Sequence, residues 1–131
     1  MSLEYKGTNQ FTGLDYRFWQ VVDALTDKDE KYENLFGTSG KLYAVFALNN
    51  TSSNSAVAIK FYDGGTATNG TDIPSLTFGI AQNAKEVFIF PEGITFSNGL
   101  SMCLSKYATG HGTAAGADLD ATFEKIVLIF K

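Results

Sequence analysis

The chain holds one cysteine, Cys103, and one histidine, His111. A thiolate nucleophile needs a base beside it, so catalysis of that kind would require these two side chains to meet. Cys103 lies in the apolar run Leu100-Ser101-Met102-Cys103-Leu104 and reads as a small buried hydrophobe. His111 sits between Gly110 and Gly112. A catalytic base needs a fixed position and an orienting partner, which such a stretch does not supply, so His111 reads as an exposed loop residue. A zinc site takes three or four ligands, and one His with one Cys leaves carboxylates to supply the rest. No metal is expected.

Carboxylates are the other candidates. Glu86 and Glu92 flank a strand, and Asp118, Asp120 and Glu124 gather before the last one. A pair of acids can hydrolyse a glycoside, and Asp118 with Asp120 could hold calcium. Solvated strand ends carry the same residues, and that is the expected reading of both groups. The charged segment 26–34 alternates in sign, lacks the central glycine of a calcium loop, and reads as a surface loop with at most one helical turn. Gly64-Gly65, Gly110, Gly112 and Gly116 are turn or loop residues, not a phosphate-binding run. No cofactor and no catalytic site are expected. Asn49-Asn50-Thr51, Asn50-Thr51-Ser52 and Asn69-Gly70-Thr71 match the glycosylation triplet but read as turn chemistry.

Charge and composition narrow the partners. The 131 residues carry a net charge of −4, with no cluster of Lys and Arg. Nucleic acids and anionic membranes are bound mainly through clustered positive charge, so neither is expected as a partner. The N-terminus has no basic start followed by an apolar stretch, so no secretory leader is expected. No run approaches the ~20 apolar residues of a membrane span. Hydrophobic residues are 44% and charged residues 18%, which is globular composition for one domain able to bury a core.

Strands must position whatever these residues do. The expected division is an N-terminal arm over 1–13, readable also as a loose first edge, and one domain over 14–131. Residues 14–25 fit either a helical stripe or a strand, and their aromatic and β-branched content favours a strand. From Lys41, Leu42, Ala44, Phe46 and Leu48 alternate with Tyr43, Val45 and Ala47, apolar on both faces as in a central strand. Val57, Ile59 and Phe61 alternate with Ala58, Lys60 and Tyr62, and the two segments read as an antiparallel pair. Further strands are expected after Pro74, over Val87–Phe90 with a stop at Pro91-Glu92-Gly93, over Ile94–Phe96, and after Asn98-Gly99. The run Ile126–Phe130 reads as a buried final strand, and 107–119 as a surface loop. About eight short strands without a long helix define an all-β chain, a sandwich or barrel.

Aromatics make up 14% of the chain and suit both cores and interfaces. On a strand, Phe18 and Trp19 must face opposite ways, so one is buried and the other is free to meet a sugar or a protein. Tyr5, Phe11, Tyr16, Trp19 and Tyr107 are the candidate partner contacts, with core packing the competing role for Trp19.

Several short motifs occur in a familiar order: Gly40-Lys41-Leu42-Tyr43, Asn49-Asn50-Thr51, Ile59-Lys60-Phe61-Tyr62-Asp63 and Gly70-Thr71-Asp72-Ile73-Pro74. They are followed by Phe90-Pro91-Glu92-Gly93-Ile94-Thr95-Phe96-Ser97-Asn98-Gly99-Leu100-Ser101. In this the chain resembles small virion structural proteins of tailed bacteriophages, over roughly residues 35–104. The resemblance implies a jelly-roll-like β-sandwich that is not an enzyme. It implies a decoration or cement protein on the outer capsid surface, made in the host cytoplasm. Its partners would be the major capsid protein and itself, as a homotrimer. The alternatives it leaves are a carbohydrate- or receptor-binding module on a tail fibre or baseplate, and a head–tail connector or tail subunit. A small hydrolase is the remaining competitor.

Overall fold

The computed structural model describes residues 3–8, 16–25, 31–37, 39–49, 57–68, 72–105 and 122–131. All regular structure among them is strand. The strands are β1 (Leu3–Thr8), β2 (Arg17–Leu25), β3 (Lys31–Tyr32), β4 (Gly40–Asn49), β5 (Val57–Asp63), β6 (Leu76–Ile80), β7 (Ala84–Phe96), β8 (Leu100–Ser105) and β9 (Thr122–Phe130). They form a five-stranded sheet in the order β1-β2-β9-β4-β7 and a four-stranded sheet in the order β3-β8-β5-β6. Residues from both sheets share one core, so the chain is an all-β sandwich.

Four antiparallel pairs organise the chain: β2 with β9, β3 with β8, β4 with β7 and β5 with β6. The first half of the domain therefore runs out and the second half runs back beside it. This corrects the expected pairing of β4 with β5: the two segments lie in different sheets. An Asn/Thr/Ser-rich connection suits a hairpin, but it equally allows a crossing between layers, and local turn chemistry cannot tell these apart.

The core is built from alternate residues of each strand. Trp19 and Val21 of β2, Leu42, Val45 and Ala47 of β4, and Ile126 and Leu128 of β9 meet Val57, Ile59 and Phe61 of β5 and Leu100, Met102 and Leu104 of β8. Phe36 lies against Phe130 (ring centroids 4.6 Å) and edge-on to Phe96 (5.9 Å). Phe78 of β6 stacks on Phe88 of β7 at 4.3 Å, closing the sandwich between the two edge strands.

β2 bears out the preference for a strand over 14–25, from Arg17 on. β4 is central, as its two-sided apolar pattern indicated, but its phase changes. Leu42 pairs with Ile94 and Phe130, while Ala44 pairs with Ile89 and Ile129. The irregularity at Tyr43 keeps Leu42 inward and turns Ala44 and Phe46 outward, so the simple alternation does not survive. β7 is also continuous: residues expected as a stop, Pro91-Glu92-Gly93, form a bulge inside a 13-residue strand. Pro91 is tolerated because β7 is an edge strand, where a missing N–H need not break a ladder. Gly93 has φ 75°, and a Cβ there would lie 3.0 Å from the Tyr43 ring. Leu3–Thr8, inside the expected N-terminal arm, is the edge strand beside β2. The two-residue β3 falls within the segment expected as a charged loop.

Candidate functional site: the open face of the five-stranded sheet

The two outer faces of the sandwich differ. On the four-stranded sheet, Ala58, Lys60, Ser101 and Cys103 point away from the core yet have no exposed surface. On the five-stranded sheet the outward residues of β2, β9, β4 and β7 remain partly in solvent, and most of them are apolar. Register places them in rows across β2, β9, β4 and β7. Phe18, Ile129, Ala44 and Ile89 form one row; Gln20, Val127, Phe46 and Val87 form the next; Val22, Lys125, Leu48 and Lys85 form the third. Phe46 is 42% exposed, Val87 45% and Ile89 67%. With strands about 4.8 Å apart and rows about 6.7 Å apart, the apolar area is roughly 300–400 Å². That equals the largest patch of an ordinary monomer, a size often tied to function.

Two hollows share this face, with Phe46 between them. One, of about 340 Å³, runs between Tyr16, Tyr43, Phe46, Ile89, Pro91 and Ile129. The other, of about 290 Å³, lies between Phe46, Val87, Val127 and the stems of Lys85 and Lys125. Tyr16 meets Tyr43 edge-to-face at 5.1 Å, and the Lys131 ammonium stands 5.4 Å from the Tyr16 ring. Absence of a side chain at Gly93 lets the Tyr43 ring lie against the bulge of β7.

The free edge of β7 is less suited to a partner. Lys85, Glu86, Pro91 and Glu92 are exposed along it, and the bulge bends it. Charge, proline and a bulge are the features that keep an edge from accepting another strand. Contact through the face is the remaining geometry on this side.

Of the candidate contacts read from sequence, Tyr16 lies at the hollow with Tyr43. Trp19 does not reach the surface: it is fully buried, edge-on to Tyr32 at 5.3 Å, and its role is core packing. Phe18, its neighbour, takes the outward position. Tyr5 is opposite Gln20 in β1. Phe11 and Tyr107 lie outside the described residues, as do His111, Asp118 and Asp120. Phe46, Val87 and Ile89 were not singled out in the sequence; the signal was two-sided apolarity in strands that turn out to be neighbours.

The residues considered for chemistry are arranged otherwise. Cys103 is buried, as expected of a small hydrophobe, and burial pushes its thiol up to about 11, so it is neutral at physiological pH. Burial also raises the Tyr62 phenol beside it and lowers the Lys60 ammonium. Glu86 and Glu92 lie along one strand, roughly 15–20 Å apart, beyond the ~5–10 Å that glycoside cleavage needs. Asp63 and Asp72 border a third hollow, but Asp63 accepts the Asn98 N–H and Asp72 the Thr68 N–H, both at 2.8 Å. Glu33 accepts the Ala67 N–H at 3.0 Å, and that bond, with Lys31 at 3.3 Å, holds its carboxyl below the usual range. Among the described residues, no three His, Cys, Asp or Glu side chains gather as a metal site. Asn49, the first residue of one glycosylation triplet, is buried and donates to the Ile80 and Ala81 carbonyls. None of the described residues forms a helix long and apolar enough to cross a membrane.

The chain matches no protein-family model, no curated protein and no solved structure.

Proposed function

We propose that the chain is a non-enzymatic structural protein of a tailed-bacteriophage virion. In this reading it is a jelly-roll decoration protein that docks on the capsid through the open face of its five-stranded sheet. The observation that carries the docking is the exposed cluster of Phe46, Val87 and Ile89 on a sandwich whose other face is covered over its central strands β5 and β8. Full burial of such a side chain is worth about 1.5–3 kcal/mol, and a partner covering these three recovers the part that folding leaves in water.

Strand order supports the jelly-roll description. The pairs β2·β9, β3·β8, β4·β7 and β5·β6 are those of one long antiparallel hairpin rolled into two sheets, with β1 added at the edge. Jelly rolls recur in viral shells and lectins. The virion assignment rests on the resemblance in residues 35–104 and is an argument by family. A patch of this size makes a modest single interface, which suits a protein present in many copies on a repeating shell. A homotrimer is the oligomer the resemblance favours.

The test uses virions of the phage that encodes the chain. Heads stripped of minor proteins and reincubated with purified chain should take it back in fixed ratio to the major capsid protein. They should then rupture at a higher temperature than stripped heads. Light scattering gives the mass of the free chain and tests the trimer. Virions that lack the chain altogether would overturn the assignment.

A further inference from the structure

We infer that the partner surface is an acidic protein patch with an apolar centre, which deepens the docking proposal above and rests on it. Four lysines surround the apolar rows, and all four are exposed. Lys85 and Lys125 flank Leu48 in the third row. At the opposite end, Lys41 and Lys131 exchange both backbone hydrogen bonds at 2.9 Å, so their side chains leave the same side of the sheet. That side is the open face, because the Lys131 ammonium stands over the Tyr16 ring at its hollow.

Carboxylates of the same strands fall in the other phase. Glu86 is opposite inward Ala47, and Glu124 adjoins outward Lys125. Glu92 stands in the bulge of β7. Among the described residues, a chain of net charge −4 therefore presents a face whose rim is cationic. Complementary charge at a rim steers encounter and rejects wrong partners, while the apolar centre supplies affinity.

A second copy of the chain does not fit this face. An isologous contact would set lysine ends against lysine ends. The apolar area is also well below the ~800 Å² per partner of a standard stable interface. Nucleic acid would leave the exposed apolar rows uncovered. An acidic protein surface satisfies both rim and centre.

The probe is a labelled random copolymer of glutamate and tyrosine, compared with a lysine–tyrosine copolymer and with phosphatidylglycerol vesicles. The chain should bind the glutamate copolymer, more weakly at high salt, and not the lysine copolymer. Lys85→Glu with Lys125→Glu should weaken that binding about tenfold. Val87→Thr with Ile89→Thr keeps branched strand residues and all charges, and should weaken it as well. Equal binding of both copolymers, still sensitive to Val87→Thr/Ile89→Thr, would overturn the acidic preference while leaving the docking face intact. Binding indifferent to Val87→Thr/Ile89→Thr would overturn the docking face itself. Binding to vesicles alone would assign the face to lipid, and binding to none of the three would refute the inference.

Discussion

Ile89 and Leu128 are both aliphatic residues in neighbouring parts of one sheet, yet they face opposite ways and should behave differently when trimmed. Ile89 is 67% exposed on the edge strand, so only a third of its side chain leaves water on folding. Full burial of such a side chain stabilises by about 1.5–3 kcal/mol, so Ile89→Thr should cost less than about 1 kcal/mol. Threonine keeps the branched shape that strands favour, which limits any loss from propensity. Leu128 is fully buried between the sheets. Leu128→Ala removes its burial and leaves a cavity, for a loss of about 2–5 kcal/mol. In urea, with a slope of about 2 kcal/mol/M, the midpoint should fall by less than about 0.5 M for Ile89→Thr and by about 1–2.5 M for Leu128→Ala. Both curves should keep the wild-type slope. Equal losses for the two variants would mean that Ile89 is packed against protein. The open face, and the docking argument built on it, would then be wrong.

Other consequences follow from single positions. Gly93→Ala forces a side chain into φ 75° and to within 3.0 Å of the Tyr43 ring, and should cost about 1–3 kcal/mol in the same urea assay. The one tryptophan is buried, so native fluorescence should resist iodide quenching and become quenchable on unfolding; easy quenching in the native state would contradict its place in the core. Cys103 should not react with a disulfide reagent at neutral pH until the chain unfolds. Its thiol is raised by burial from 9.0 to about 11, so between those values the unfolded chain releases a proton that the folded chain keeps. The thiol's own contribution to stability should therefore be constant below pH 9.0 and fall as pH rises toward about 11, and that component is what Cys103→Ala should remove when its pH profile is compared with the wild type's.

Periodicity made much of the fold legible, and its failures share a cause. The strands β4, β5, β6 and β8 announce themselves by alternation and by turn residues at their ends, and β9 by an unbroken apolar run, because those signals are local. Pairing is not local: the link between β4 and β5 crosses from one layer to the other, and nothing in residues 49–57 distinguishes that from a hairpin. Alternation also misleads where a bulge changes phase. Ala44, Phe46 and Leu48 share the written phase of Leu42 but face the other way once Tyr43 is passed.

The site was hidden for a related reason. Strands apolar on both faces usually have protein on both sides, so Phe46, Val127 and Ile129 looked like interior residues. Lys60 and Tyr62, the polar positions that alternate with the core residues of β5, are buried as well. Which outer face is open depends on what else the chain lays across each sheet, and that is a property of tertiary structure. Trp19 shows the same limit on a smaller scale. The pair Phe18-Trp19 had to split between core and surface, and only the register of β2 against β9 decided which residue went where.

The most direct test of the docking face is covalent footprinting of the chain, free and bound to stripped heads, read by mass spectrometry. Binding through the open face predicts strong labelling of Phe46 and Ile89 in the free chain and protection of both on the head, with exposed Ile73 unchanged. Protection confined to Ile73 and its neighbours, with Phe46 and Ile89 labelled as in the free chain, would contradict it.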